Sequence, residues 1–131
     1  MAETVKSLKG VASATSKKLR AHGITSTTQL LAAAMDPNDR RQLADALGLQ
    51  TSDITEAVNR ADLSRIKGVS TVYANLLENS GVDTVKELAV RVPANLHAKL
   101  TEVNTQRKLT SRVPPLPTIE GWITQSKHLA K

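Results

Sequence analysis

The sequence predicts an all-α protein, a compact helical bundle built from two tandem copies of one helical unit. Three observations lead to this prediction: an internal repeat that matches without a gap, helix start and stop signals along the whole chain, and an apolar content that is almost entirely aliphatic. Aromatic residues make up only 2% of the 131 residues. The core must therefore consist of aliphatic side chains, as in small helical bundles.

The repeat is defined by glycine and aliphatic residues that recur 58 positions further along the chain. The matched pairs are Leu8-Lys9-Gly10-Val11 with Ile66-Lys67-Gly68-Val69, Leu19 with Leu77, Gly23-Ile24 with Gly81-Val82, and Leu30 with Leu88. An ungapped repeat makes each copy one supersecondary unit. We expect repeat one at about 4–62 and repeat two at about 63–131, within a single compact domain of 1–131 whose matched apolar positions share one core.

Each copy begins with a glycine turn, a short helix and a second glycine that ends this helix. Capping boxes at Ser26–Gln29 and Thr84–Glu87 then start the next helix of each copy. Asp36 as N-cap and Pro37 at N1 begin a further helix, which Gly48 ends. Helical signals thus follow one another with short connections between them.

The second halves of the copies differ. In copy one, a helix is predicted from about Ser52 to Ala61. In copy two, a helix from about Val85 to Val92 precedes another that Pro93 opens. The apolar residues of 54–58 match those of 119–123 at an offset of 65, so about seven residues are inserted in copy two.

The insertion lies near 105–117 and ends in Pro114-Pro115-Leu116-Pro117, which favours an extended segment. A proline-linked C-terminal helix then begins at a Thr118 cap. We expect this helix to pack across the others, anchored by Trp122. The alternative is a detachable arm that docks on a partner.

A short glycine turn between two helices is the signature of a helix-hairpin-helix, whose commonest use is to hold a nucleic-acid phosphate. The turn amides and the positive end of the second helix bind phosphate without reading a base. The motif has two glycines. The first is present as Gly10 and Gly68, whereas the second is replaced by Ala12 and Ser70. Small side chains still permit the turn, but close phosphate contact becomes weaker.

Basic residues distinguish the two hairpins. With Thr15 and Leu19 facing inward, helical periodicity points Lys17 and Arg20 to solvent and places Lys18 at the flank. The predicted nucleic-acid-binding residues are Lys9, Gly10, Val11, Ala12, Ser13, Lys17, Lys18 and Arg20 in copy one, and Lys67 and Gly68 in copy two. The alternative for hairpin one is a solvated helix face that is simply basic.

Hairpin two has lost most of this charge. The positions that correspond to the three bases of the first helix hold Asn75, Leu76 and Glu78. Hairpin one is therefore the stronger candidate for phosphate binding, and hairpin two reads more like a structural copy.

The net charge of +6 favours a polyanionic partner, and it is unevenly distributed. Residues 1–62 contain eight Lys and Arg against seven Asp and Glu, whereas 63–131 contain ten against five. A further basic group, Lys99, Arg107, Lys108 and Arg112, is interrupted only by Glu102. It is either a solubilising surface or a second phosphate track. Because aromatics are few, duplex DNA is a better ligand than single strands or RNA.

Catalytic constellations find no support in the sequence. His22, His97 and His128 are scattered without partners at metal-ligand spacing, and neither a Gly-rich phosphate loop nor a nucleophile elbow occurs. We expect a non-enzymatic protein without cofactor or metal. The absence of cysteine, of a long apolar run and of a signal-peptide core favours a cytoplasmic protein that contacts no membrane.

The sequence resembles a family of bacterial proteins known only as a domain of unknown function, whose members look like tandem helix-hairpin-helix units. The resemblance lies in residues 59–69, 77–89 and 96–104, and it extends over nearly the whole chain. It implies nucleic-acid binding only by analogy with other helix-hairpin-helix proteins. The alternative function is a non-enzymatic adaptor or scaffold subunit that binds another protein through its helical surface or its C-terminal arm.

Overall fold

The structure, a computed structural model, describes residues 11 and 13–129. These residues form eight α-helices, and none of them lies in a β-strand. The helices are α1 (Ser13–Ala21), α2 (Thr27–Ala33), α3 (Pro37–Leu47), α4 (Thr51–Leu63), α5 (Thr71–Asn79), α6 (Val85–Ala89), α7 (Pro93–Arg107) and α8 (Leu116–Leu129). The prediction of an all-α fold is confirmed.

The chain divides into two compact units, Met1–Asp62 and Leu63–Lys131. Each unit buries a cluster of apolar side chains of its own, here named the first and the second cluster. The matched apolar positions that the structure describes are therefore divided between the two clusters, and for these residues the expectation of one shared core is wrong. The reason lies in the second halves: α4 supplies Ile54 and Val58 to the first cluster, and α8 supplies Ile119 and Ile123 to the second.

The turn that ends the first helix of each copy has the same hydrogen bonds. Gly23 has φ +91°, its amide donates to the Arg20 carbonyl at 3.0 Å, and the Ile24 amide donates to the Leu19 carbonyl at 2.9 Å. The residues 58 positions further on make the same two bonds at 3.1 and 2.9 Å, again around a glycine with φ +91°. Both helices thus end in a Schellman turn, which needs a left-handed residue.

Three of the predicted N-caps are present. Ser26 Oγ accepts from the Gln29 amide at 3.1 Å, and the Gln29 side chain returns to the Ser26 amide, which completes the capping box. In copy two, Thr84 Oγ1 accepts from the Glu87 amide at the same distance. Asp36 caps α3 by accepting from the amide three residues on, at 2.8 Å, with proline at N1. Local sequence therefore determines where these helices begin.

Three helix ends differ from the predictions by two or more residues. α4 extends to Leu63 rather than to about Ala61. α6 ends at Ala89 rather than near Val92, because a residue before proline avoids the helical region, and Val92 takes ψ 123° before Pro93. α8 begins at Leu116 rather than at a Thr118 cap. The Pro115 carbonyl already accepts from the Ile119 amide at 3.2 Å, and a proline in the first turn removes a donor that has no intrahelical partner there.

Candidate nucleic-acid interface

α1 presents its basic side chains to solvent. Thr15 and Leu19 are buried, whereas Lys17, Lys18 and Arg20 are exposed, as the helical periodicity predicts. α1 contains no acidic residue. Within the part of the chain that the structure describes, none of these three cations forms an ion pair with a carboxylate. One short helix therefore carries three cationic side chains that no carboxylate among the described residues neutralises.

Lys18 has a local role that the other two bases lack. An ideal Cβ built on Gly48, the C-cap of α3, would lie 3.9 Å from Lys18 Nζ. The ammonium group is thus close to the carboxyl end of α3, where the helix dipole stabilises a cation. Lys17 and Arg20 are the bases that remain for a ligand.

The structure describes only part of the turn of hairpin one. The predicted residues Lys9, Gly10 and Ala12 lie outside the described residues. Val11 is half-buried against the first cluster, and Ser13 is the exposed first residue of α1. The described part of this candidate site is therefore α1 itself.

The turn of hairpin two is held by a side chain of α8. Gln125 Oε1 accepts from the Lys67 amide at 2.9 Å, and Gln125 Nε2 donates to the Lys67 carbonyl at 3.2 Å. The neighbouring Gly68 has φ +91°, and an ideal Cβ there would lie 3.1 Å from Trp122 Nε1. A phosphate would have to displace Gln125 to reach the Lys67 amide. Lys67 and Gly68 are exposed, but the main-chain amide and carbonyl of Lys67 are already hydrogen-bonded to Gln125 of α8.

Gln125, which contacts the candidate site, was not predicted from the sequence, although a signal was present. The match between 54–58 and 119–123, continued at the same offset, pairs Gln125 with Arg60. The burial pattern supports this register, since Ile54, Ala57 and Val58 are buried as their counterparts in α8 are. The pairing shows that one helical position holds a neutral amide in copy two and a guanidinium in copy one.

The first helices of the two copies differ in charge. In α5, the positions that correspond to the bases of α1 hold a half-buried Asn75, a fully buried Leu76 and a half-buried Glu78. The C-terminal helix is packed as expected, with Trp122 only 2% exposed in the second cluster. The detachable-arm alternative is not supported, because releasing α8 would expose this core.

Among residues 11 and 13–129, no three His, Asp or Glu side chains are grouped so that they could hold a metal ion. No helix in those residues combines the length and the apolar character needed to cross a membrane.

Comparison with known proteins identifies a family but no activity. The model of a family described as a domain of unknown function, DUF4332, matches residues 9–129, so the chain belongs to that family. The chain matches no curated protein and no solved structure.

Proposed function

We propose that this DUF4332 protein binds nucleic acid through its phosphates, without reading base sequence, and that the solvent face of α1 is the principal contact. The observation that carries the proposal is the pair Lys17 and Arg20, both exposed and unpaired with any carboxylate in the described residues. Cations in this state release the condensed counterions of a nucleic acid when they contact phosphates, which drives association.

Duplex DNA is the expected ligand class. Proteins that prefer single strands stack bases on exposed aromatic side chains. This chain has two aromatics, of which Trp122 is buried and Tyr73 is partly buried against the second cluster. Lysine and arginine on a helix face, in contrast, contact phosphates whatever the sequence. Binding should therefore be similar for duplexes of different sequence.

Charge reversal on α1 tests this proposal. The double variant Lys17→Glu/Arg20→Glu should bind a short duplex about tenfold or more weakly, and the slope of log affinity against log salt should fall by about 1.8, or 0.9 for each lost phosphate contact. Fluorescence anisotropy with a labelled duplex at several salt concentrations measures both quantities. The unfolding midpoint should barely change, because both side chains are exposed.

A matched control separates a local contact from the overall charge. Lys86→Glu/Lys127→Glu changes the net charge by the same amount at two other exposed positions. It should weaken binding much less than the α1 variant. Equal losses in the two double variants would show that α1 is not a defined contact, and absence of duplex and RNA binding by the wild type at low salt would overturn nucleic-acid binding altogether.

One observation favours the adaptor alternative. Val90 and Val92, between α6 and α7, are 80% and 56% exposed. Two neighbouring exposed valines are a small apolar surface of the kind that protein partners cover. Under this alternative, Val90→Lys/Val92→Lys would abolish binding of a protein partner in a pull-down, whereas Lys17→Glu/Arg20→Glu would leave it unchanged.

A further inference from the structure

The insertion of copy two carries a set of basic side chains that the first hairpin does not explain. We propose that Arg107, Lys108 and Arg112 form a second contact for a nucleic-acid backbone, and that this contact lies alongside α5. We call residues 107–112 the basic loop. The inference shares its class of ligand with the proposed function, but it involves different residues and is tested separately.

The basic loop has no counterpart in copy one. There, only residues 48–50 connect α3 with α4, whereas residues 108–115 connect α7 with α8. From Thr105 to Pro117 the chain contains these three bases and no Asp or Glu. The longer connection therefore adds only positive charge to a unit that already has an excess of it.

The backbone of the basic loop is held in place by side chains of α7 and by apolar packing. Asn104 Nδ2 donates to the Thr110 carbonyl at 3.1 Å, and Asn104 Oδ1 accepts from the Thr110 amide at 2.9 Å. Leu109 and Val113 pack against the second cluster. A connection that only solubilised the protein would need no such anchoring. Because the backbone is already fixed, binding would order only the side chains, which lowers its entropic cost.

Two further hydrogen bonds align the loop with α5. Arg107 Nη1 donates to Oδ1 of Asn79, the last residue of α5, at 2.7 Å. Tyr73, in the first turn of α5, donates through Oη to the Arg112 carbonyl at 3.2 Å. The six helical steps from Tyr73 to Asn79 correspond to about 9 Å of helix. That length covers roughly three phosphates of one strand, since each adds about 3.4 Å along the duplex axis.

The three cationic groups are available to a ligand. Arg107, Lys108 and Arg112 are exposed. In the described residues, none of them forms an ion pair with a carboxylate, and Arg107 is bonded only to a neutral carboxamide. Gln125 already engages the turn of hairpin two. Copy two would thus contact phosphate through its loop, where copy one is proposed to use its first helix.

Charge reversal in the loop, made in the full chain, tests the inference. Lys108→Glu/Arg112→Glu should weaken binding of a 20-base-pair duplex about tenfold and lower the salt slope by about 1.8. The melting temperature should fall only slightly, because Lys108 is the exposed C-cap of α7 and the variant loses the favourable interaction of a cation with the helix dipole. Arg107 is left unchanged because its guanidinium holds Asn79. Lys86→Glu/Lys127→Glu is again the control, and it lies in the same unit with the same change in charge.

Tyr73→Phe tests the role of the loop backbone. It removes the hydrogen bond to the Arg112 carbonyl and leaves every charge in place. We expect duplex affinity to fall about two- to threefold with the salt slope unchanged, because the number of phosphate contacts stays the same while their positions become less fixed. A reduced slope, or an unchanged affinity, would contradict the role given to this anchor.

The outcomes separate this inference from the proposed function. If the loop variant binds like the control while the α1 variant is weakened, the second contact is refuted and the proposed function stands. If only the loop variant is weakened, the loop is supported and the role of α1 is refuted. If the wild type binds polyglutamate but neither duplex nor RNA, the surface recognises acidic protein segments, and nucleic acid as its ligand is refuted.

Discussion

At the scale of single residues, two glycines with identical backbone conformation have different surroundings. Gly68 and Gly81 both have φ +91°, which strains any residue with a Cβ. A Cβ on Gly81 would have no neighbour within 4 Å, whereas one on Gly68 would lie 3.1 Å from Trp122 Nε1. Backbone conformation therefore favours glycine at both positions, and the close approach of Trp122 is a second reason at position 68.

This pair gives a prediction with a built-in control. Gly68→Ala and Gly81→Ala should each lower the free energy of unfolding by about 1–2 kcal/mol, because alanine is strained in the left-handed conformation. Gly68→Ala should lower the free energy of unfolding by about 1–3 kcal/mol more, because its methyl group would press against the buried indole of Trp122. Urea unfolding of both variants measures the difference. Equal free energies of unfolding would show that Trp122 moves aside without cost.

At the scale of the helix, α1 and α5 have related sequences but different inward faces. Both bury the leucine at the matched position, Leu19 or Leu77, and both end in the same Schellman turn. α5 also buries Leu76, where α1 exposes Lys18. One substitution thus decides whether this flank of the helix joins a core or faces water.

The register of α5 can be tested by truncation. Leu77→Ala should lower the free energy of unfolding by about 2–5 kcal/mol, because the side chain is fully buried in the second cluster. Val90→Ala, at a position that is 80% exposed, should change it by about 0.5 kcal/mol or less. Thermal or urea unfolding distinguishes the two variants. A Leu77→Ala protein with an unchanged midpoint would show that the helix register is wrong.

At the scale of the whole molecule, charge and aromatic content are the properties on which the proposed type of ligand rests. The net charge is +6, and most of the excess lies in residues 63–131. The only tryptophan is buried, and the only tyrosine donates its hydroxyl hydrogen to the basic loop. The molecule thus combines an excess of cations with few rings on which bases could stack.

These properties predict a preference among nucleic acids. A 20-base-pair duplex should bind about tenfold more tightly than a 20-nucleotide single strand at moderate salt, because duplex charge density releases more counterions for each contact and stacking contributes little. Trp122 fluorescence should not be quenched on binding. Tighter binding of the single strand, accompanied by quenching, would contradict the assignment of Trp122 to the core.

The sequence by itself determined the local features of this protein. Ser26, Asp36 and Thr84 start helices as predicted, and Gly23 and Gly48 end them, because caps and left-handed turns depend on residues within one helical turn. The exposure of Lys17 and Arg20 followed from helical periodicity in the same way. The candidate face of α1 was therefore readable from the chain alone.

Only the tertiary structure decided the features that join distant residues. Gln125 meets Lys67 across 58 positions, Tyr73 meets Arg112 across 39, and the matched apolar residues divide between two clusters. Periodicity gives the face on which a side chain lies but not the segment that packs against it. For this reason, the sequence could place the glycine turn at Gly68 but could not show that the last helix holds it.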